Sequence, residues 1–86
     1  MTSKVKILYF ASLREAVGCS GEELDLPAGV ATVGALRSHL AGRGEGWQAL
    51  AAGRNVRAAL NQKMAAPDTA LDGGDEVAFF PPVTGG

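Results

Sequence analysis

The stretch LDGGDEVAFFPPVTGG, residues 71–86, carries the reading of the whole chain. Its opening LDGGD combines two glycines with flanking aspartates and reads as a tight turn, with Gly73 or Gly74 taking a positive φ and the Asp72 and Asp75 side chains answering local backbone donors. EVAFF then reads as a strand, apolar enough to belong in the middle of a sheet. Pro81 and Pro82 end it by removing backbone donors. Its counterpart stands at the other end of the chain. KVKILYFA, residues 4–11, begins half exposed with Val5 and Ile7 alternating, and becomes almost wholly apolar through Leu8, Tyr9 and Phe10. Two strands this apolar each account for the other if they lie side by side, parallel and central.

The remaining segments fall around this pair. Ser12 is expected to cap a short helical turn through Leu13 and Val17 that Gly18 closes in a left-handed conformation. Glu22 to Leu26 alternates, with Leu24 and Leu26 on one face and Glu23 and Asp25 on the other, until Pro27 and Gly29 break it. Thr32 opens the strongest helix, with Val33, Leu36 and Leu40 at spacings of three and four on one side and Gly42 and Gly44 at its end. Trp47, Leu50 and Ala51 repeat helical spacing in a shorter piece ending at Gly53. NVRAALN then alternates Val56, Ala58 and Leu60 as a strand, and Asn61 and Gln62 turn the chain. The order strand, strand, helix, strand, strand predicts an α+β layer, a mixed sheet with one main helix on one face. With the terminal strand beside the first, this is the ubiquitin-like β-grasp. The expected organisation is one β-grasp domain over residues 1–80 and a flexible tail over 81–86.

Eighty-six residues bound what such a domain can do. A chain this short holds one modest core, leaves no room for a second domain, and disfavours a self-sufficient enzyme with its own roomy cavity. Leu, Ile, Val and Phe supply 20 of the 86 residues and Ala another 15, so the core is small. Eight basic against nine acidic groups leave no basic stripe, which excludes nucleic acid and anionic lipid as expected partners. No apolar run approaches membrane-spanning length. Lys4 and Lys6 before Ile7–Leu13 faintly resemble a signal peptide, but Arg14 and Glu15 stop the run and no small-residue cleavage site follows. The single Cys19 closes no intramolecular bridge, and a reducing, cytoplasmic setting is expected.

The tail is the chemical group. With the sequence ending at Gly86, a free α-carboxylate is expected there, ionised at neutral pH and unable to be attacked until an adenylate replaces its oxide leaving group. Gly85 and Gly86 lack a Cβ and can pass a channel closed to larger residues. Val83 and Thr84 extend the reach, and Pro81 and Pro82 set the direction of departure. Six extended residues span about 20 Å at ~3.3–3.6 Å each. An acyl adenylate on such a terminus accepts a sulfur or nitrogen nucleophile, so the product could be a thioester, an isopeptide or a thiocarboxylate.

The motif FFPPVTGG, together with KILYFASLREAVG near the N-terminus, TVGALRSHLA at Thr32 and ALNQ at Ala59, resembles the small subunit of molybdopterin synthase, the MoaD family of sulfur carriers. The resemblance implies that an activating enzyme related to that of ubiquitin adenylates Gly86 with ATP, that a sulfur donor protein converts it to a thiocarboxylate, and that the tail enters the large synthase subunit. Sulfur from two successive carriers would there build the dithiolene on cyclic pyranopterin monophosphate. A heterotetramer with the small subunits outside is implied, with the catalytic pocket on the large subunit and no cofactor held permanently by this chain. Phe80, Phe10 and Arg14 match positions near the family's partner-facing surface. A sulfur carrier for another pathway such as thiamine, or a ubiquitin-like modifier joined through Gly86, are the alternatives.

Other candidates reduce to structure. Adjacent Phe79 and Phe80 must face opposite sides of the sheet, so only one of them is a docking residue. Cys19 has no neighbouring positive charge to favour a thiolate and reads as an incidental loop thiol. His39 reads as a surface or half-buried helix residue, and one His with one Cys makes no metal set. DGGD lacks the ligand alternation of a calcium loop and the lysine of a phosphate loop. Trp47 reads as a cap on the edge of the core.

Overall fold

The computed structural model describes residues 4–50 and 56–81. Strand β1 is Lys4–Tyr9, helix α1 Ala11–Val17, β2 Gly21–Asp25 and α2 Val33–Ala41. A 3-10 helix, Glu45–Leu50, precedes β3 Arg57–Leu60, β4 Lys63–Ala65 and β5 Glu76–Phe80. The strands form one sheet in the order β2-β1-β5-β3-β4. β5 runs parallel to β1, and every other pairing is antiparallel. This is the β-grasp arrangement expected from the two apolar ends of the sequence, with the last strand inserted beside the first.

The helices pack on one face. Val5, Ile7 and Tyr9 of β1 and Val77 and Phe79 of β5 point into the core and meet Leu13 of α1 and Val33, Leu36 and Leu40 of α2, all buried. Thr32 caps α2 as expected, its hydroxyl accepting from the Ala35 amide at 3.1 Å. Gly18 closes α1 with φ 81°, donating its N–H to the Arg14 carbonyl. Ser12 does not cap α1. The cap position is Phe10, which makes no side-chain capping bond, and the helix starts one residue before Ser12 at Ala11, whose φ is 54°. The apolar β1 runs straight into the helix, leaving no room for a capping residue between them.

A fifth strand, β4, was not expected from KMA, which is too short to show alternation. It follows from Asn61 and Gln62, whose φ values of 50° and 70° make the tight hairpin that folds the chain back on β3. The turn before β5 follows the reading at Gly74, whose φ is 92°, and at Asp75, which accepts from the Asp72 amide at 2.8 Å while its other oxygen accepts from the Asn61 side chain; Asp72 takes part through its backbone, its carbonyl accepting from the Asp75 amide at 3.2 Å. Of the segment expected to run to Gly53, the 3-10 helix covers Trp47 and Leu50, while Ala51 and Gly53 lie outside the described residues. Gly46 lets that helix lie on α1, since a Cβ there would come within 2.6 Å of the Ala16 carbonyl oxygen.

Candidate functional site

The C-terminal end of β5 is anchored from both sides. Lys6 donates to the Asp75 carbonyl at the strand's start, and Phe10 donates to the Phe79 carbonyl at its end. Below the sheet, the fully buried Phe79 ring stacks on Tyr9 at 6.4 Å, and Tyr9 meets the edge of Trp47 at 5.5 Å. The Tyr9 hydroxyl donates to Glu22 Oε2 at 2.9 Å, and Arg43 reaches the same oxygen at 2.8 Å while lying over the Trp47 ring at 4.7 Å. Burial and the adjacent carboxylate raise the Tyr9 phenol well above its ordinary range. Trp47 is thus the edge cap its position suggested, and it clamps the ring that clamps Phe79.

Phe80 takes the opposite face, as alternation requires, and is half-buried beside its cross-strand partner Arg57. Pro81 is the last described residue, also half-buried. The expected threading residues Pro82, Val83, Thr84 and Gly85, and the reactive Gly86, lie outside the described residues.

The face carrying Phe80 is not covered by either helix, and its rows sort by polarity. One row across the sheet is charged, Glu23, Lys6 and Glu76 in register. The next is apolar, Leu8, Ala78, Ala59 and Met64, each opposite the one before. Beyond it stand Phe80 and Arg57, with Phe10 following Leu8 on the same extended strand at φ −122°, ψ 153°. Phe10 and Met64 are the exposed large apolar residues among those described, at 46% and 64%. Arg14 is exposed on α1, four residues after Phe10. The structure therefore sets Phe10 and Phe80 at the point where the chain leaves the sheet. Leu8, Ala59, Ala78 and Met64 were missed in the sequence, because Leu8 sat inside a continuous apolar run and the others are small or unpatterned. In this row Met64 is exposed and Leu8, Ala59 and Ala78 are half-buried.

Cys19 is half-buried against the core and His39 is exposed on α2. No helix among the described residues is long and apolar enough to cross a membrane.

Residues 7–86 match the model of the ThiS family. The chain is 45% identical to the molybdopterin synthase sulfur carrier subunit of Escherichia coli (strain K12), over 95% of this chain and 99% of that one. Among solved structures it is similar to small archaeal modifier protein 1 of Haloferax volcanii, with TM-score 0.78 and 30% identity over 94% of this chain and 99% of that one. It is also similar to a chain in the complex of subunits 1 and 2 of molybdopterin-converting factor from Helicobacter pylori, with TM-score 0.66 and 25% identity over 96% and 99%.

Proposed function

The chain belongs to the ThiS family, and on that premise we propose that it is the sulfur-carrier subunit of a molybdopterin synthase, with the carboxyl of Gly86 as the group that carries sulfur. The observation that carries the reading is the placement of β5. A central strand, held by the Phe10–Phe79 bond and the Tyr9–Phe79 stack, delivers the chain at Pro81 beside an apolar face fit to hold a partner.

The chemistry needs no cavity on this chain. The Gly86 carboxylate attacks the α-phosphorus of ATP on an activating enzyme and pyrophosphate leaves; the terminal sulfur of a donor protein's persulfide then displaces AMP to form an acyl disulfide, and a second thiol cleaves its S–S bond, leaving as a disulfide with the donor and releasing the thiocarboxylate. The resulting thiocarboxylate is an ionised nucleophile at neutral pH. Each carrier brings one sulfur, so a dithiolene consumes two. The large subunit receives the tail, a pairing supported by the two-subunit Helicobacter pylori complex, and it supplies the pocket and its basic residues. Phe80, Phe10 and Arg14 form the rim of the docking face, with Leu8 and Met64 as its continuation. A heterotetramer with the large subunits at its centre, working in the cytoplasm, completes the reading.

A second reading, a protein modifier joined through Gly86 to a lysine amine, is favoured by the likeness to the small archaeal modifier. Intact-mass analysis of the chain purified from cells that hold its activating enzyme separates the two. Exchange of one oxygen for sulfur supports the carrier, and a covalent adduct to a second protein supports the modifier. An unchanged mass in cells actively making the cofactor would overturn both.

A further inference from the structure

The face of the sheet left open by the helices carries its charge unevenly. At one end the signs answer each other within the face, with Lys4 opposite Asp25 and Lys6 opposite both Glu23 and Glu76. Side chains directly opposite on neighbouring strands stand about 4.5–5.5 Å apart at Cβ, so these charges offset one another. At the other end, past the apolar row, Arg57 has no such counterpart. Its cross-strand partner is Phe80, and the next residue of β3, Ala58, is buried on the helix side, so alternation turns Arg57 to the open face. Arg57 is exposed and makes no ion pair among the described residues. Arg43 and Arg37, by contrast, are taken up within the domain, by Glu22 Oε2 and by the Leu50 carbonyl.

We propose that Arg57 is a specificity-determining residue of this face, met in the complex by a carboxylate of the large synthase subunit beside the place where Phe80 docks. Two features choose an acidic group on the partner. Arg57 is in register with Phe80 at the end of β5 from which Pro81 continues, so a partner that covers Phe80 and receives the chain there covers Arg57 as well. A guanidinium covered by an apolar surface loses its water and costs affinity unless an opposite charge takes the water's place. The balanced rows of Lys4, Lys6, Glu23, Asp25 and Glu76 make no such demand. Arg57 therefore tells the partner which way round to sit, a role that charge complementarity commonly fills at interfaces. The inference rests on the carrier reading for the partner's identity and goes beyond it in naming the charge that partner presents.

The test is calorimetric titration of the full chain with the purified large subunit at low and high salt. Arg57→Gln is expected to weaken binding about tenfold at ~50 mM salt, and its gap from the parent to close to about threefold or less at ~500 mM. Arg57→Lys keeps the charge and is expected to bind within about threefold of the parent. Lys63→Gln removes the same charge from an exposed residue of β4 that precedes Met64 and so faces the other way, and it is expected to bind as the parent does. All three replace exposed side chains, so the melting temperature stays within a few degrees. Equal affinity of Arg57→Gln and the parent overturns the inference. So does a loss that Lys63→Gln matches, that Arg57→Lys does not restore, or that high salt leaves unchanged. In each of those cases a parent chain that binds the large subunit and gains one sulfur by intact mass leaves the carrier reading standing. A parent that does not bind the large subunit overturns both.

Discussion

Phe10 donates its amide N–H to the carbonyl oxygen of Phe79 at 3.1 Å, one rung beyond the last residue of β1. That bond separates two aromatic roles. Phe79 below the sheet is fully buried, whereas Phe80 above it and Phe10 beside it are open to a partner. Phe79→Ala is therefore expected to destabilise the domain by about 3–5 kcal/mol, the range for emptying a buried phenylalanine site. Urea denaturation reads it directly. A loss below ~1 kcal/mol would mean that the ring does not anchor β5.

Charges placed on the open face should do the reverse. Phe10→Asp and Met64→Asp replace exposed side chains, so each is expected to shift the melting temperature by no more than a few degrees while weakening association with the large subunit by tenfold or more, because a charge then has to be desolvated against the partner's apolar surface. Calorimetric titration against the purified large subunit measures the second quantity. Unchanged affinity in both variants would remove Phe10 and Met64 from the interface.

Gly86→Trp, or one residue added after Gly86, is expected to abolish sulfur transfer and leave the unfolding midpoint in place. The carried group must be the last acyl group, and a bulky side chain there meets the channel that a glycine passes. Thiocarboxylate formation by intact mass is the readout. A variant that still supported cofactor synthesis would move the reactive group elsewhere.

Gly46→Ala tests a different glycine. Its Cβ would stand 2.6 Å from the Ala16 backbone oxygen, so either α1 or the 3-10 helix must move, at a cost of about 1–3 kcal/mol. Gly44→Ala is a poor control because its φ is 151°, and Gly42→Ala, with φ −79° and no contact under 3.5 Å, is the better one. Equal stability of the Gly46 and Gly42 variants would show that the two segments do not pack this closely.

What could be read from residues alone followed from local physics. The β5 and β1 runs, the Thr32 cap, the left-handed Gly18 and the inward Val33, Leu36 and Leu40 each declare themselves through period or backbone preference, and the parallel centre follows from the two most apolar strands each wanting a neighbour on either side. What could not be read depended on tertiary register. KMA pairs because Asn61 and Gln62 accept positive φ, a conformation asparagine tolerates and glutamine does not advertise. The row Leu8, Ala78, Ala59, Met64 exists only once four strands are aligned. The Tyr9–Glu22–Arg43–Trp47 cluster joins positions up to 38 residues apart in a way no spacing rule reports.

That cluster gives the domain a dependence on alkaline pH. Tyr9 is buried with its hydroxyl on Glu22, and both the burial and the carboxylate favour the protonated phenol, so its folded-state value lies far above the ordinary 10.0. Below about pH 10 the folded and unfolded chains hold this proton alike, and the stabilisation is fully present. As pH rises past that point the unfolded chain releases the proton while the folded one keeps it, and stability falls by about 1.4 kcal/mol per pH unit. Tyr9→Phe is expected to cost about 1–3 kcal/mol at neutral pH through the lost bond to a charged acceptor. It should also flatten the decline above pH 10 relative to the parent. Urea midpoints at pH 7, 9, 10 and 11 for the two proteins decide it. Parallel curves through the alkaline range would show that the phenol ionises freely in the folded state and that the Glu22 contact does not hold it.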